Sequence, residues 1–286
     1  MSYSSKKPYK QELLTVDEVR NFPVLPGIPD RGIDKATCKY FGIRTEFSEV
    51  DGKMIAHYFP VTKNSKLCGW IKRDLRKPKK DAYSTVGDVT VDCDLLGQSA
   101  AKPSRKLFIV EGVYDYLSLF QTIYKSDYNE YRRKEGKSPL QPAVVSIGLG
   151  TKNAAAHISS NMEFVKKYSE IVTVFDNDKA SDREKEKGIV KGQDAIQEVS
   201  LILPDIKNVI LDLNDPNDYL KEGKAKELYN RVMYEAKGYE PDNIVSGSLS
   251  VEELMRPLER GISVPCLPGT MRLLHGLRPR EFTVLL

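Results

Sequence analysis

Two short acidic stretches carry the chemistry this chain is built to do. Glu111-Gly112 closes the apolar run Phe108-Ile-Val, and Asp176-Asn-Asp178 closes the run Val172-Thr-Val-Phe. A run of β-branched and aromatic residues that stops at acid reads as a buried parallel strand with its charge at the carboxyl end. Open α/β sheets place their ligands at that edge. A single acid often does no more than end a strand, but two such ends with another strand between them predict that Glu111, Asp176 and Asp178 converge. Three carboxylates offer oxygen donors suited to Mg²⁺ or Mn²⁺, the ions that organise phosphoryl transfer.

Other residues fall around this trio. Asp115 lies one helical turn beyond Glu111, on the same side and at a helix start, as a direct metal ligand or a support for one. The cluster Asn214-Asp-Pro-Asn-Asp218 leaves the fourth strand at the same edge, and Asp215 or Asp218 could supply a second metal position or merely cap the next helix. In Ser146-Ile-Gly-Leu-Gly-Thr151, Gly148 and Gly150 permit a tight turn and close backbone approach to an anion. Lys152 and His157 nearby are compatible with phosphate contact or with solvent. Upstream, Lys72-Arg-Asp-Leu-Arg-Lys-Pro-Lys-Lys80 concentrates positive charge in Lys72, Arg73, Arg76, Lys77, Lys79 and Lys80. Such a run is ordinarily a solvated loop, but Pro78 and the adjoining Tyr83 suit an irregular segment facing phosphate.

These residues need a scaffold to position them. From residue 107 the pattern alternates strand (107–111), helix (113–126), strand (143–148), helix (154–168), strand (170–176), helix (192–203), strand (208–213) and helix (222–236). That alternation specifies a parallel sheet with helical crossovers, interrupted by charged surface insertions at 128–142 and 181–191. Before it, residues 31–42 read as a short helix capped by Asp34 or Thr37 and stopped by Gly42. Asp51-Gly52 and Asn64-Ser65-Lys66 turn the chain through a small antiparallel sheet. The expected organisation is a flexible N-terminal arm (1–30), a smaller α+β lobe with a basic strand (31–106), an α/β domain (107–238) and a loop-rich linker (239–286). In that linker Ser250 and Glu253 have the spacing of a capping box on a helix at 250–260. The closing run Glu281-Phe-Thr-Val-Leu-Leu286 reads as a strand leading into a further domain.

Bulk properties agree with a soluble protein of a reducing compartment. The formal charge of +4 over 286 residues is mild, so nucleic-acid affinity would come from local patches. Cys38, Cys68, Cys93 and Cys266 form no Cys-x-x-Cys pair, which disfavours structural zinc and a disulfide framework. Neither a signal peptide nor a membrane span is visible, and the expected location is cytoplasmic.

Together, Glu111-Gly-Val-Tyr-Asp115, Gly150-Thr151, Asp176-Asn-Asp178 and Asn214-Asp-Pro-Asn-Asp218 resemble a Toprim domain, the catalytic fold of bacterial-type primases, topoisomerases and some nucleases. The likeness extends to primases over most of residues 31–286. The basic segment 72–80 precedes the domain as their nucleotide-gripping segment does, and Asp94-Leu-Leu-Gly97 is similar to the motif joining their lobes. Residues 150–157 and Asp218-Tyr-Leu-Lys-Glu-Gly223 are similar to primase loops as well. Beyond residue 240 the chain resembles the linker of phage bifunctional primase-helicases.

This resemblance implies a Mg²⁺-dependent primer synthase acting on single-stranded DNA and ribonucleoside triphosphates. It also implies a fused ring helicase through which the chain oligomerises, a replicative polymerase as partner, and the host cytoplasm as location. It implies a reading frame continuing into a Gly-x-x-x-x-Gly-Lys-Ser/Thr loop within about ten residues. Three features depart from the family. No zinc-binding module precedes residue 31, an insertion of about ten residues separates Asp178 from Gly192-Gln-Asp-Ala-Ile196, and the last acidic pair is spaced by one extra residue. The alternatives are a non-catalytic Toprim arm of a helicase and a Toprim nuclease.

Overall fold

A computed structural model describes residues 14–176 and 191–238. Asp178, most of the 181–191 insertion and the whole 239–286 linker, with its expected helix and final strand, lie outside the described residues. The described residues all belong to one compact unit.

The chain first builds a four-stranded antiparallel sheet from β1 (Arg44–Phe47), β2 (Met54–Lys63), β3 (Lys66–Asp74) and β4 (Tyr83–Gly87), in that order. The β2–β3 turn places Asn64 and Ser65 at φ of 51° and 62°, the left-handed pair that a two-residue hairpin requires. Helix α1 (Val16–Arg20) starts at a capping box in which the Thr15 hydroxyl accepts from the Glu18 backbone N–H. It covers one face of the sheet, where Val19 packs with Ala56, Tyr58 and Trp70. The Trp70 indole N–H donates to the Val16 carbonyl at 3.1 Å.

Residues 14–30, expected as part of a flexible arm, are therefore packed: Leu25 and Ile28 are buried in the core. The prolines exclude long regular elements there but not burial of the apolar residues between them. Helix α2 (Lys35–Tyr40) follows, with the Asp34 carboxylate accepting from Thr37 N–H at 2.7 Å and Gly42 at φ 68° where the helix stops.

The second sheet contains β5 (Lys106–Val110), β6 (Ala143–Ser146), β7 (Glu170–Val174), β8 (Lys207–Asn208) and β9 (Lys237–Gly238), in the order β6-β5-β7-β8-β9. All neighbours are parallel except β8 and β9. Its helices are α3 (Asp115–Tyr124), α4 (Asp127–Lys134), α5 (Ala154–Ser160), α6 (Met162–Val165), α7 (Lys191–Ile202), α8 (Pro216–Lys221) and α9 (Ala225–Tyr234). The α/β architecture read from the pattern is the one observed, with local differences. The expected strand at 208–213 pairs only at its first residues, and the helix expected at 222–236 begins after Gly223, whose φ of 70° separates α8 from α9. The charged 128–142 stretch begins within the additional helix α4.

Side-chain alternation along β5 divides the core in two. Leu107 and Ile109 pack with Ile158, Val165 and Val199 of α5, α6 and α7. Phe108 and Val110 belong to a larger cluster that includes Leu117 and Phe120 of α3, Leu228 of α9, and also Phe59 and Ile71 of the antiparallel sheet. The two sheets thus share one hydrophobic core. The Asp94-Leu-Leu-Gly97 motif fastens them. Its carboxylate accepts from Thr62 Oγ1, Asn64 N and Ser65 N, Leu95 and Leu96 enter opposite clusters, and Leu96 exchanges backbone hydrogen bonds with Ser146 at 2.9 and 3.0 Å.

Phe41 lies at this junction, with ring centroids 4.9 Å from Tyr40, 4.9 Å from Tyr116 and 4.8 Å from Phe120. Phe41→Ala is expected to cost about 3–5 kcal/mol and to lower the denaturant midpoint of both sheets together. Tryptophan fluorescence, reporting Trp70 in the antiparallel sheet, and far-UV circular dichroism should then trace coincident unfolding curves.

Candidate active site

The carboxyl ends of the parallel strands deliver their acids to one cleft of about 780 Å³. Glu111 follows β5 and Asp176 follows β7, while Asp115 begins α3 and Asp215 and Asp218 sit at the start of α8. All five line the cleft, as do Gly148, Leu149 and Gly150. Ser146 Oγ donates to the Glu111 carbonyl at 2.9 Å and accepts from Gly148 N–H at 3.0 Å, tying the glycine turn to the end of β5. Gly148 is required twice over: its φ is 54°, and a Cβ there would meet Leu96 Cδ1 at 2.6 Å. At Gly112 a Cβ would collide with the Asp115 carboxylate, which folds back over the Glu-Gly turn.

Electrostatics mark Asp115 as the centre of this cluster. It is buried, and burial together with the neighbouring charges of Asp215 and Glu111 pushes its carboxyl up to about 7; backbone N–H groups of Asn217 and Gly112 oppose that rise. Burial chiefly, and then Asp218, also raises Asp215. The two acids left open in the last cluster differ in their partners. Asp215 caps α8 through Asp218 N–H at 2.7 Å and acts on Asp115, whereas Asp218 is paired with Lys221 at 2.6 Å. Crowded, partly buried carboxylates whose mutual repulsion a bound cation would relieve, all of them oxygen donors, fit a hard divalent ion. Among the described residues no three His, Cys, Asp or Glu side chains stand close enough together to hold a metal ion as they are placed.

The basic run divides between the cleft and elsewhere. Arg73 and Lys79 line the cleft, and the Arg73 guanidinium lies 5.2 Å from the centre of the Tyr83 ring. Lys72, its neighbour on β3, points to the other face, 3.3 Å from Glu46 and over the Tyr58 ring. Arg76 is held by the Asp74 carboxylate through two hydrogen bonds of 3.0 and 2.9 Å, and it pushes that carboxyl down to about 2. Lys77, Lys80 and Lys152 are exposed and line no part of this cleft. His157 makes no outward contact: it is buried, with Nδ1 2.8 Å from the Ile147 carbonyl and Nε2 3.1 Å from that of Cys93.

Two cleft bases were not expected, Arg31 and Lys221. Lys221 could have been found from its position one turn beyond Asp218. Arg31 carries no local signal, since it follows a proline-rich stretch and reaches the cleft only through tertiary contacts.

The Toprim-like protein family matches residues 108–220. Residues 108–220 are a Toprim-like domain. It begins on β5 and ends on α8, so it contains all five cleft acids, while Arg31, Arg73, Lys79 and Tyr83 come from the segment before it.

Similarity continues outside the Toprim-like domain. A DNA helicase/primase of Enterobacteria phage T3 is 25% identical over 228 residues, which are 79% of this chain and 34% of that protein. The chain thus spans about a third of the length of this relative. The crystal structure of the primase fragment of the bacteriophage T7 primase-helicase superposes with a TM-score of 0.57 at 23% identity, covering 81% of this chain and 83% of that one. A structure of the T7 lagging-strand DNA polymerase interacting with primase domains bound to an RNA/DNA hybrid and dTTP gives a TM-score of 0.56 at 23% identity, covering 74% and 92%. The Toprim-like domain and the antiparallel sheet before it therefore share the fold of phage primase fragments.

The raised Asp115 carboxyl has a consequence for stability. Its folded value lies above the unfolded one, so the folded state holds an extra proton between about pH 4 and 7. The corresponding stabilisation is complete below about pH 4 and is lost as pH rises through 7. Melting temperatures measured in a chelator should fall over this range from the contribution of Asp115, and Asp115→Asn should flatten that fall.

Proposed function

We propose that this chain is the primer-synthesising part of a phage-type primase-helicase, making short RNA primers on single-stranded DNA. The carrying observation is the cleft itself, in which acids from the parallel sheet and bases from the antiparallel sheet meet. The T3 relative, whose name joins helicase to primase, and the shared fold of the T7 primase fragment support the reading.

In this reading Glu111, Asp176 and Asp178 are the catalytic carboxylates, with Asp115 and Asp215 completing the donor set and Asp218 turned towards Lys221. Bound Mg²⁺ or Mn²⁺ would neutralise triphosphate charge and lower the pKa of the attacking 3′-hydroxyl. The chain's own contribution is alignment and electrostatic stabilisation, and no protein nucleophile is needed. Arg73, Lys79 and Arg31 neutralise phosphate oxygens of the incoming ribonucleotide or template. The exposed Tyr83 ring offers a stacking face for a base. A Toprim nuclease would need the same acids but gains little from a basic, aromatic wall contributed by a separate sheet.

The implied partners are single-stranded DNA, ribonucleoside triphosphates, the RNA primer, a ring helicase joined through residues 239–286, and a replicative polymerase. The implied site of action is the host cytoplasm. Among the described residues no helix is long and apolar enough to cross a membrane.

Glu111→Gln removes a charge while keeping side-chain size, so primer synthesis on single-stranded DNA with labelled nucleotides and Mg²⁺ should be abolished with the circular-dichroism spectrum unchanged. Activity near wild type would remove Glu111 from the site. The bases are separable by salt. Arg73→Ala and Lys79→Ala should each weaken DNA binding and reduce the slope of log K against log salt by about 1, whereas Lys72→Ala, engaged with Glu46 on the far face, should leave the slope as it is.

A further inference from the structure

We infer that Arg31 and Asn217 form a positioning clamp that sets the spacing of Asp115 and Asp215, and so the cation affinity of the cleft. The inference rests on the reading of these acids as metal ligands.

The clamp joins three segments distant in sequence. Arg31 Nη1 donates to Asn217 Oδ1 at 2.8 Å, and Asn217 Nδ2 donates back to the Arg31 carbonyl at 3.0 Å. The same Nδ2 donates to Ser118 Oγ at 2.9 Å, and Ser118 Oγ donates to the Tyr114 carbonyl at 2.8 Å. Asn217 is 1% and Ser118 0% exposed, so the Asn217–Ser118 and Ser118–Tyr114 bonds form away from water, while the two bonds to Arg31 are half-buried at the cleft. The Arg31 guanidinium lies 4.0 Å from the centre of the Tyr114 ring, and the Tyr114 hydroxyl is 3.0 Å from His57 Nδ1.

The acids sit directly on this frame. Asp115 follows Tyr114 and its carboxylate accepts from the Asn217 backbone N–H; Asp215, two residues before Asn217, caps the same helix. One amide side chain therefore fixes both the helix carrying Asp115 and the helix carrying Asp215, with Arg31 as the bolt from the N-terminal segment. A second tie holds that segment to α3: Gln121 Nε2 donates to the Gly32 carbonyl at 2.7 Å, and Gln121 Oε1 accepts from Asp34 N–H at 2.8 Å. Gly32, at φ 67° in the left-handed region, leaves little room for a side chain, because a Cβ would lie 3.2 Å from the Leu220 carbonyl of α8. Supporting hydrogen bonds of this kind orient metal-binding groups, and their loss typically lowers affinity 10- to 100-fold.

The charge on Arg31 makes the clamp separable from a plain electrostatic role. A guanidinium that only lent positive charge to the cleft would repel a divalent cation, and its removal would tighten cation binding. A clamp predicts the opposite sign. Mn²⁺ binding to the 286-residue chain, followed by electron paramagnetic resonance without nucleotide or DNA, tests this in wild type, Arg31→Ala, Arg31→Lys and Asn217→Ser. Each variant is expected to bind Mn²⁺ about tenfold more weakly while keeping a wild-type circular-dichroism spectrum. Arg31→Lys retains the charge and decides the matter should Asn217→Ser fail to fold. Wild-type affinity in Arg31→Lys, or tighter binding in Arg31→Ala, overturns the clamp alone. No Mn²⁺ binding in the wild type overturns the metal reading of the cleft, and the clamp with it.

Discussion

Mutual repulsion of carboxylates at the edge of a parallel sheet is the constraint around which this structure is arranged. Asp115 is buried beside Glu111 and Asp215, an arrangement that opposes its own ionisation. Such a cluster persists only when rigid elements on every side impose it. The elements doing so are the ends of β5 and β7, the first turns of α3 and α8, and backbone N–H groups of Gly112 and Asn217 that give the Asp115 carboxylate partners in place of water. A glycine at 112 is part of the same solution, since any side chain there would occupy the space of the Asp115 carboxylate.

The antiparallel sheet is bound into this arrangement and is not an independent body. Its Phe59 and Ile71 share a core with Val110 and Val113, the residues flanking Glu111 and Gly112. Displacing that sheet would expose the core and move the acids as well as the bases. The fold thus couples the two halves of the cleft mechanically: Arg73 and Lys79 approach from one sheet, the carboxylates from the other, and Asp94-Leu-Leu-Gly97 and the Arg31–Asn217 pair fasten one to the other. For the proposed reaction, which would depend on alignment of phosphates, rigid coupling of this kind matters more than any single charge.

Much of the fold was legible in the chain because its signals are local. Apolar runs ending in acid, the Asn64-Ser65 turn, the Asp34 cap and the Gly42 stop each depend on a few adjacent residues. The same locality explains the errors. Prolines made residues 14–30 look like a tether, although Leu25 and Ile28 are buried. His157, read as open to phosphate or solvent, is consumed by two backbone carbonyls that no local pattern brings to it.

The residue types alone pointed to hard-oxygen chemistry and to Glu111, Asp115, Asp176 and Asp178, with Asp215 or Asp218, at one sheet edge, because a strand's end and a helix's start are local facts; the cleft holds Glu111, Asp115, Asp176, Asp215 and Asp218. Only the tertiary structure decided which bases join them. Lys72 and Arg73 are adjacent in the chain, yet strand pleating sends one to Glu46 and the other to the cleft. Arg31 meets Asn217 across 186 residues. Which face of a strand turns inward, and which distant segment lies against a helix, are set by burial of a shared core, a property of the whole chain that no short stretch of sequence contains.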